Sequence, residues 1–296
     1  MLKMNNIKKT KNIYLSLFGY FLLYIFYYCV IASVALPWGI SVAVITAIAL
    51  VLVINSIRRR EKKRGLSFAD ALGLKKVDLN FDNIKILALI GIGLNFVISA
   101  VLNLLPVGIS QSYTESYTVV LKGDIISTII MMAIVTPFLE EIFFRGIFQR
   151  RLMEELGVFK GFIIATCIFG FMHFNIIWTI YAAIIGFFLG GLYIKYNSVF
   201  PSAIVHSFFN LISCIPVFFM RFETIYKYTF GNKICVVLML ILGIGILWYV
   251  SSKTWIKMFF DKEFYQNDNE MITIFDDINS EENLNSEEMR DNDENI

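Results

Sequence analysis

The chain has 296 residues, of which 57% are hydrophobic and 17% are charged. Soluble domains are about 45–50% apolar and about 25% charged, so this composition excludes a soluble globule and predicts an all-α polytopic membrane protein. The formal net charge is +2, but the sequence from Asp261 to Ile296 holds thirteen acidic and two basic residues. The basic excess lies mainly at the ends of apolar runs, where it orients helices, so no nucleic-acid partner is expected.

The N-terminal part contains two apolar runs with basic flanks. Residues 1–12 carry four lysines and no acid, and the run Ile13–Ala35 that follows is too long for the apolar region of a signal peptide. We therefore predict a retained membrane span. A second span, Gly39–Ile54, precedes a basic cluster from Arg58 to Arg64. Positive charge marks the cytoplasmic side of a span, which places the N-terminus and this cluster in the cytoplasm.

The next apolar runs extend the same pattern. A moderately polar segment, Gly65–Asn83, is expected in the cytoplasm with an interfacial helix around residues 68–74. A third span, Ile84–Leu105, leads to an outside loop, Pro106–Asp124. The five later spans are predicted from Ile125 to beyond Arg145, then Gly161–Trp178, Thr179–Ile194, Val199–Phe219 and Ile234–Val250. About eight spans with both termini cytoplasmic in the cell membrane fit every loop except the basic one after Phe219, with six or seven spans as alternatives.

These runs divide the chain into four parts. Residues 1–124 would form N-terminal transmembrane helices with a cytoplasmic basic loop, residues 125–219 a catalytic core, and residues 220–260 a C-terminal transmembrane helix. The acidic remainder, residues 261–296, is expected to be a disordered cytoplasmic tail because it is rich in Asn and Glu and poor in aromatic residues. Within the sixth span, Ala182, Gly186 and Gly190 recur every four residues, a stripe that predicts close helix packing.

The fourth predicted span carries an unusual group of charges. Glu140, Glu141 and Arg145 follow an apolar run that contains no charge from residue 125 to residue 139. A charged side chain at mid-membrane depth costs about 2.5–3.5 kcal/mol on insertion scales, so such residues usually mark a site or a pathway. Residues four apart share a helix face, so Arg145 can hold and neutralise Glu141. Glu140 points about 100° away around the helix and is free for another role.

Both histidines of the chain lie in predicted membrane spans. His173 follows Phe169 by four residues in the fifth span, and His206 precedes Asn210 by four residues in the seventh. Each pair therefore shares a helix face. Because buried polar groups in lipid must find partners, these residues and the charges of the fourth span are predicted to meet in one cavity between spans four, five and seven.

Two chemical schemes suit such a set. A carboxylate in a dry site can act as general base on water with help from a histidine, while a His and Asn pair hydrogen-bonds the developing oxyanion. Alternatively, Glu140, His173 and His206 could bind zinc and leave one position open for water. Both schemes hydrolyse an amide bond, and neither needs a serine or cysteine nucleophile.

The three motifs resemble the CAAX protease and bacteriocin-processing family, also called the Abi family of intramembrane endopeptidases. Its signature is E-E-x-x-x-R, then F-x-x-x-H, then H-x-x-x-N or H-x-x-x-D, and this chain shows all three in that order. The resemblance implies an eight-helix membrane endopeptidase with a cytosol-facing site. It implies that Glu140 and His173 activate water and that His206 and Asn210 stabilise the oxyanion. The predicted catalytic set is Glu140, Glu141, His173, His206 and Asn210, supported by Arg145 and Phe169.

The expected partners are membrane lipid and a membrane-associated peptide or protein, cleaved either in CAAX-type processing or in bacteriocin or signal-peptide maturation. Two other functions compete with this interpretation. A bacteriocin self-immunity protein would act by binding rather than by catalysis. A transporter would use Glu and His as a proton path, and internal repeats would support it, but the two halves show no convincing repeat.

Overall fold

A computed structural model describes residues 2–62, 67, 69, 72–104, 125–173, 175–220 and 232–253, and every regular element in these ranges is helical. We label the long helices α1 to α8 in chain order. They are α1 Leu2–Ala35, α2 Val42–Lys62, α3 Phe81–Leu104, α4 from Ile125 to Leu156, α5 Val158–Phe171, α6 Ile176–Tyr196, α7 Val199–Met220 and α8 Lys233–Lys253. A 3₁₀ turn, Leu36–Trp38, separates α1 from α2.

The prediction of an all-α polytopic membrane protein is confirmed. In the described ranges, α1, α2, α3, α6 and α8 each contain a stretch long and apolar enough to cross a membrane. Two further apolar stretches, Val158–Phe171 and Val199–Ile215, are shorter. The total of eight spans stays a prediction. The expected outside loop at residues 106–124, most of the loop after Phe219 and the acidic tail lie outside the described residues, as does much of the expected interfacial helix.

The predicted border between spans five and six is wrong. We expected it at Trp178 and Thr179, but α5 ends at Phe171 and α6 begins at Ile176. Asn175 fixes this boundary, because its side-chain oxygen accepts hydrogen bonds from the backbone N–H groups of Ile177 and Trp178. A side chain that accepts from these otherwise unpaired N–H groups acts as an N-cap and favours the start of a helix.

The helix α4 is irregular and deeply buried. Two π-helical stretches, Met131–Val135 and Ile142–Gln149, interrupt its α-helical turns. All eight residues of the second stretch are buried, so protein rather than lipid surrounds this part of α4. π-Helical turns inside α-helices occur frequently at functional sites.

The small-residue stripe of α6 packs against the buried part of α4 and against α5. A Cβ atom on Gly186 would lie 2.9 Å from the Phe169 ring, and one on Gly190 would lie 2.7 Å from Gln149 Oε1. The same glycines expose their carbonyl groups to α4. Arg145 Nη2 donates to Gly186 O at 3.3 Å, and Gln149 Nε2 donates to Gly190 O at 2.9 Å. The predicted packing role is therefore confirmed, with acceptors for two buried polar side chains in addition.

Leu72 and Gly73 are packed into the protein, whereas the sequence predicts an interfacial helix around residues 68–74. Leu72 is buried, and Gly73 has a positive φ of 67° that few side chains tolerate. Gly73 O accepts the Val199 backbone N–H at 3.1 Å. A Cβ atom on Gly146 would lie only 2.1 Å from Leu72 O. The segment therefore joins α4 to the start of α7 through backbone contacts that composition does not reveal.

Replacing Gly146 by alanine should destabilise the contact between α4 and the segment at Leu72. The added methyl group meets a carbonyl oxygen, which no rotamer change can move, so we expect the free energy of unfolding to fall by about 2–3 kcal/mol. Thermal unfolding in detergent measures the effect. Gly245→Ala in α8 is the matched control, since a Cβ atom there meets nothing within 4 Å. Equal melting temperatures for the two variants would contradict the contact.

Candidate active site

A cavity of about 570 Å³ lies between six of the helices, α1, α2, α4, α5, α6 and α7. Its lining includes Glu140 of α4, His173 after α5, and His206 and Asn210 of α7. The structure therefore brings one or more residues of each sequence motif to the same space. Most of the other lining residues are aliphatic or aromatic. Few but convergent polar groups in an apolar cavity are typical of ligand and active sites.

The two adjacent glutamates occupy different positions. Glu140 faces the cavity with its side chain 17% exposed, whereas Glu141 is fully buried and does not line the cavity. The carboxylate of Glu141 lies 3.2 Å from Arg145 Nε, an ion pair whose alignment falls short of a hydrogen bond. The predicted pairing of Glu141 with Arg145 is therefore present. The geometry suits Glu141 to holding other groups rather than to contacting a substrate.

Arg145 is also held from the side of α5. Its guanidinium carbon lies 4.3 Å from the centre of the Phe169 ring, within the range of cation–π attraction. The same ring meets both imidazoles edge to face, at centroid distances of 5.2 Å to His173 and 5.8 Å to His206. Phe169 therefore contacts Arg145 and both histidines, in addition to the helix face that the spacing predicts it shares with His173.

His206 lies between the two glutamates. Its Nδ1 is 3.0 Å from Glu141 Oε1, and its Nε2 is 3.8 Å from Glu140 Oε2. Because Glu141 is paired with Arg145 as a carboxylate, it can only accept, so Nδ1 carries a proton and donates it. That hydrogen bond fixes the ring and directs Nε2 toward Glu140.

His173 lies in the turn that follows α5, not within a helix as predicted. The turn tightens there, because the His173 backbone N–H donates to Gly170 O instead of Phe169 O. The Phe169 carbonyl is then available, and His173 Nδ1 lies 3.0 Å from it. A carbonyl oxygen only accepts, so Nδ1 donates and the neutral ring keeps its lone pair on Nε2. In both histidines, the hydrogen bond from Nδ1 therefore fixes the orientation of the ring.

Asn210 is anchored by an irregularity of α4. The Thr136 N–H donates to Met131 O in the π-helical turn, and Pro137 has no N–H to offer Met132 O. Asn210 Nδ2 fills this position and donates to Met132 O at 2.9 Å. One amide hydrogen is used there. Among the described residues, the second hydrogen and the amide oxygen have no further hydrogen bond, so they can serve a group bound in the cavity.

The zinc set suggested by the sequence does not fit the arrangement as it stands. The donor types are suitable, since both histidines can present Nε2 and Glu140 a carboxylate. Across the described ranges, however, no three His, Cys, Asp or Glu side chains lie close enough together to hold a metal ion. Glu140, His173 and His206 line one cavity without forming such a cluster. We derive no step through a metal.

Several residues of the site escaped the sequence analysis. Tyr24 and Tyr28 of α1 and Thr46 of α2 line the cavity, although these helices lie outside the predicted catalytic core, residues 125–219. Gln149 is buried, and it is held against α6 by its bond to Gly190 O. The four-residue spacing of the two tyrosines was the available signal, and it is equally typical of ordinary helix packing.

Comparison with known families agrees with the motifs. Residues 122–212 match the model of a family described as type II CAAX prenyl endopeptidase Rce1-like. This segment is less than half of the chain and contains all three motifs. Among curated proteins, and likewise among solved structures, none matches significantly. Over residues 122–212 the chain is therefore similar to the Rce1-like family of type II CAAX prenyl endopeptidases, in agreement with the resemblance that its motifs carry.

Proposed function

We propose that this protein is an intramembrane endopeptidase that hydrolyses a peptide bond of a membrane-associated peptide or protein. The observation that carries the proposal is the convergence of Glu140, His173, His206 and Asn210 on one cavity inside a helical membrane protein. The similarity of residues 122–212 to CAAX prenyl endopeptidases supports the same reaction class. The cell membrane, with both termini in the cytoplasm, is the location we infer from the basic flanks.

In the proposed reaction, Glu140 is the general base. It takes a proton from a water molecule whose oxygen attacks the carbonyl carbon of the scissile bond. His173 presents its Nε2 lone pair to the cavity and helps to orient that water. The carbon–nitrogen bond then breaks, and the proton held by Glu140 passes to the leaving amine. The nearby Nε2 of His206 offers a second carrier for this proton.

Asn210 and His206 stabilise the negative oxygen that develops during the attack. Asn210 has one amide hydrogen to donate after its bond to Met132 O. Once Nε2 of His206 has received the proton from Glu140, it donates to the same oxygen while Nδ1 stays bonded to Glu141. Glu141, Arg145 and Phe169 act as positioning residues in this scheme, because they touch the histidines or each other rather than the reacting atoms.

The proposal is tested with purified protein in liposomes that contain a library of membrane-anchored peptides. Mass spectrometry should find product pairs whose masses sum to a substrate plus one water. We expect His173→Gln to lower the cleavage rate at least about 100-fold, the size typical for a residue that assists proton transfer. Lys160→Gln, an exposed position on α5, should cleave like the wild type.

Folded wild-type protein that cleaves no peptide in the library would contradict the proposal. The same variants then address the alternative of bacteriocin immunity. Protection of cells that survives His173→Gln would favour binding over catalysis. No feature of the described residues favours that alternative at present, nor a transporter.

A further inference from the structure

The helix α3 packs tightly against α7, although α3 lies outside the segment that matches the family model. Gly91 provides the closest approach. A Cβ atom on Gly91 would lie 2.4 Å from Val205 O and 3.0 Å from both Phe208 Cβ and the Phe209 nitrogen. The contact covers the turn of α7 that carries His206. No side chain larger than hydrogen fits there without moving the backbone of α7.

One helical turn later, α3 contributes a buried polar side chain. Asn95 is 2% exposed and donates from Nδ2 to Phe209 O at 2.9 Å and to Ser213 Oγ. Its amide oxygen accepts from Ser99 Oγ at 3.2 Å. The amide is therefore fully engaged, and two of its three bonds cross to α7. A buried amide is costly unless bonded, so these bonds select one arrangement of the two helices.

The contacts run in order along the same turns of α7 that carry the two catalytic side chains. Gly91 meets residues 205–209 and Asn95 meets residues 209–213, so the two helices run in the same direction at this contact. His206 and Asn210 lie within these two turns. Ser213, which Asn95 contacts directly, also lines the cavity. A shift of α7 along or around its axis would break the Asn95 bonds and displace both catalytic side chains together.

We propose that Asn95 is a positioning residue that fixes the height and rotation of α7, so that His206 and Asn210 face Glu140 across the cavity. Asn95 does not line the cavity among the described residues and touches no reacting atom. The proposal rests on the hydrolytic function proposed above. It assigns a role in catalysis to a helix that carries none of the sequence motifs.

The test compares Asn95→Leu with Asn103→Leu, measured per folded molecule. Asn103 lies two turns later on α3, is exposed, and donates only to Ser99 O of its own helix, at 2.7 Å, among the bonds seen here. We expect kcat of Asn95→Leu to fall about tenfold with KM within about twofold, since misplacement of catalytic groups acts on the transition state. Asn103→Leu should retain wild-type kcat. If Asn95→Leu does not fold, Ser213→Ala replaces it in the test. This smaller change removes one of the bonds to Asn95 and should lower kcat about threefold.

Hydrogen exchange in the same variants gives a readout that does not need activity. Peptides covering residues 205–213 should exchange at least about threefold faster in Asn95→Leu, with α5 and α6 unchanged. Exchange that rises equally in all helices, or unchanged kcat per folded molecule, would overturn the proposal, because Asn95 would then serve stability alone. A wild type without cleavage overturns the proposed function instead. The exchange pattern then decides whether Asn95 positions α7.

Discussion

Glu140→Gln is expected to lower kcat about 10²–10⁴-fold with little change in KM, because it removes the general base and keeps the shape of the side chain. Glutamine cannot accept a proton from water under these conditions, whereas it can still fill the space beside His206. Cleavage of a membrane-anchored peptide by purified protein measures the effect. Insertion and melting temperature should remain close to those of the wild type, since Glu140 makes no close ion pair with Arg145 among the described contacts.

Glu154→Gln is the matched control for this change. Glu154 lies on the same helix, is exposed, and forms an ion pair with Arg150 at 3.3 Å. Glu154 does not line the cavity, so the control should keep its full cleavage rate. A Glu140→Gln variant that cleaves within about threefold of the wild type would refute the assignment of Glu140 as general base.

Arg145→Met should have the largest effect on stability. Arg145 and Glu141 have side chains that are 2% and 0% exposed, so removal of the cation leaves a carboxylate buried without its partner. Breaking a buried pair in this way typically costs about 3–5 kcal/mol. Denaturant unfolding in detergent measures the loss. The hydrogen bond to Gly186 O and the contact with the Phe169 ring disappear at the same time.

The double variant Glu141→Gln/Arg145→Met separates charge from packing. Removal of both charges should recover part of the lost stability, and the amide oxygen of the introduced glutamine can still accept from His206 Nδ1. The control is Lys85→Met, whose ion pair with Asp82 has side chains 56% and 76% exposed and whose loss should cost at most about 1 kcal/mol. Equal losses for Arg145→Met and Lys85→Met would contradict the importance of the buried pair.

The convergence of the motif helices could be predicted because lipid offers no partner for a buried polar group. In an apolar sequence, Glu140, Glu141, Arg145, His173 and His206 therefore had to find one another or water. The pairing of Glu141 with Arg145 followed from their spacing alone. The family comparison agrees with these motifs over residues 122–212, while the catalytic roles of the individual residues stay predictions.

The contacts that position the site could not be predicted, because they join residues far apart in the chain. Asn95 bonds to residues more than a hundred positions away, and Leu72 meets Gly146 through backbone atoms. The bond from Asn210 to Met132 O depends on a π-helical turn, and hydropathy does not distinguish such a turn from a regular helix. The turn that places His173 depends on the bond of its backbone N–H to Gly170 O, which hydropathy does not predict either.

We infer that the residues around the cavity act as one hydrolytic site. Single-turnover cleavage of one membrane-anchored peptide tests this inference most directly. The proteins to compare are the wild type, Glu140→Gln, His206→Gln and the combined variant Glu140→Gln/His206→Gln. When two residues act as a unit, replacing both lowers the rate little more than replacing one. The combined variant should therefore cleave within about tenfold of the slower single variant. Losses that multiply, or a folded wild type that does not cleave, would contradict the account.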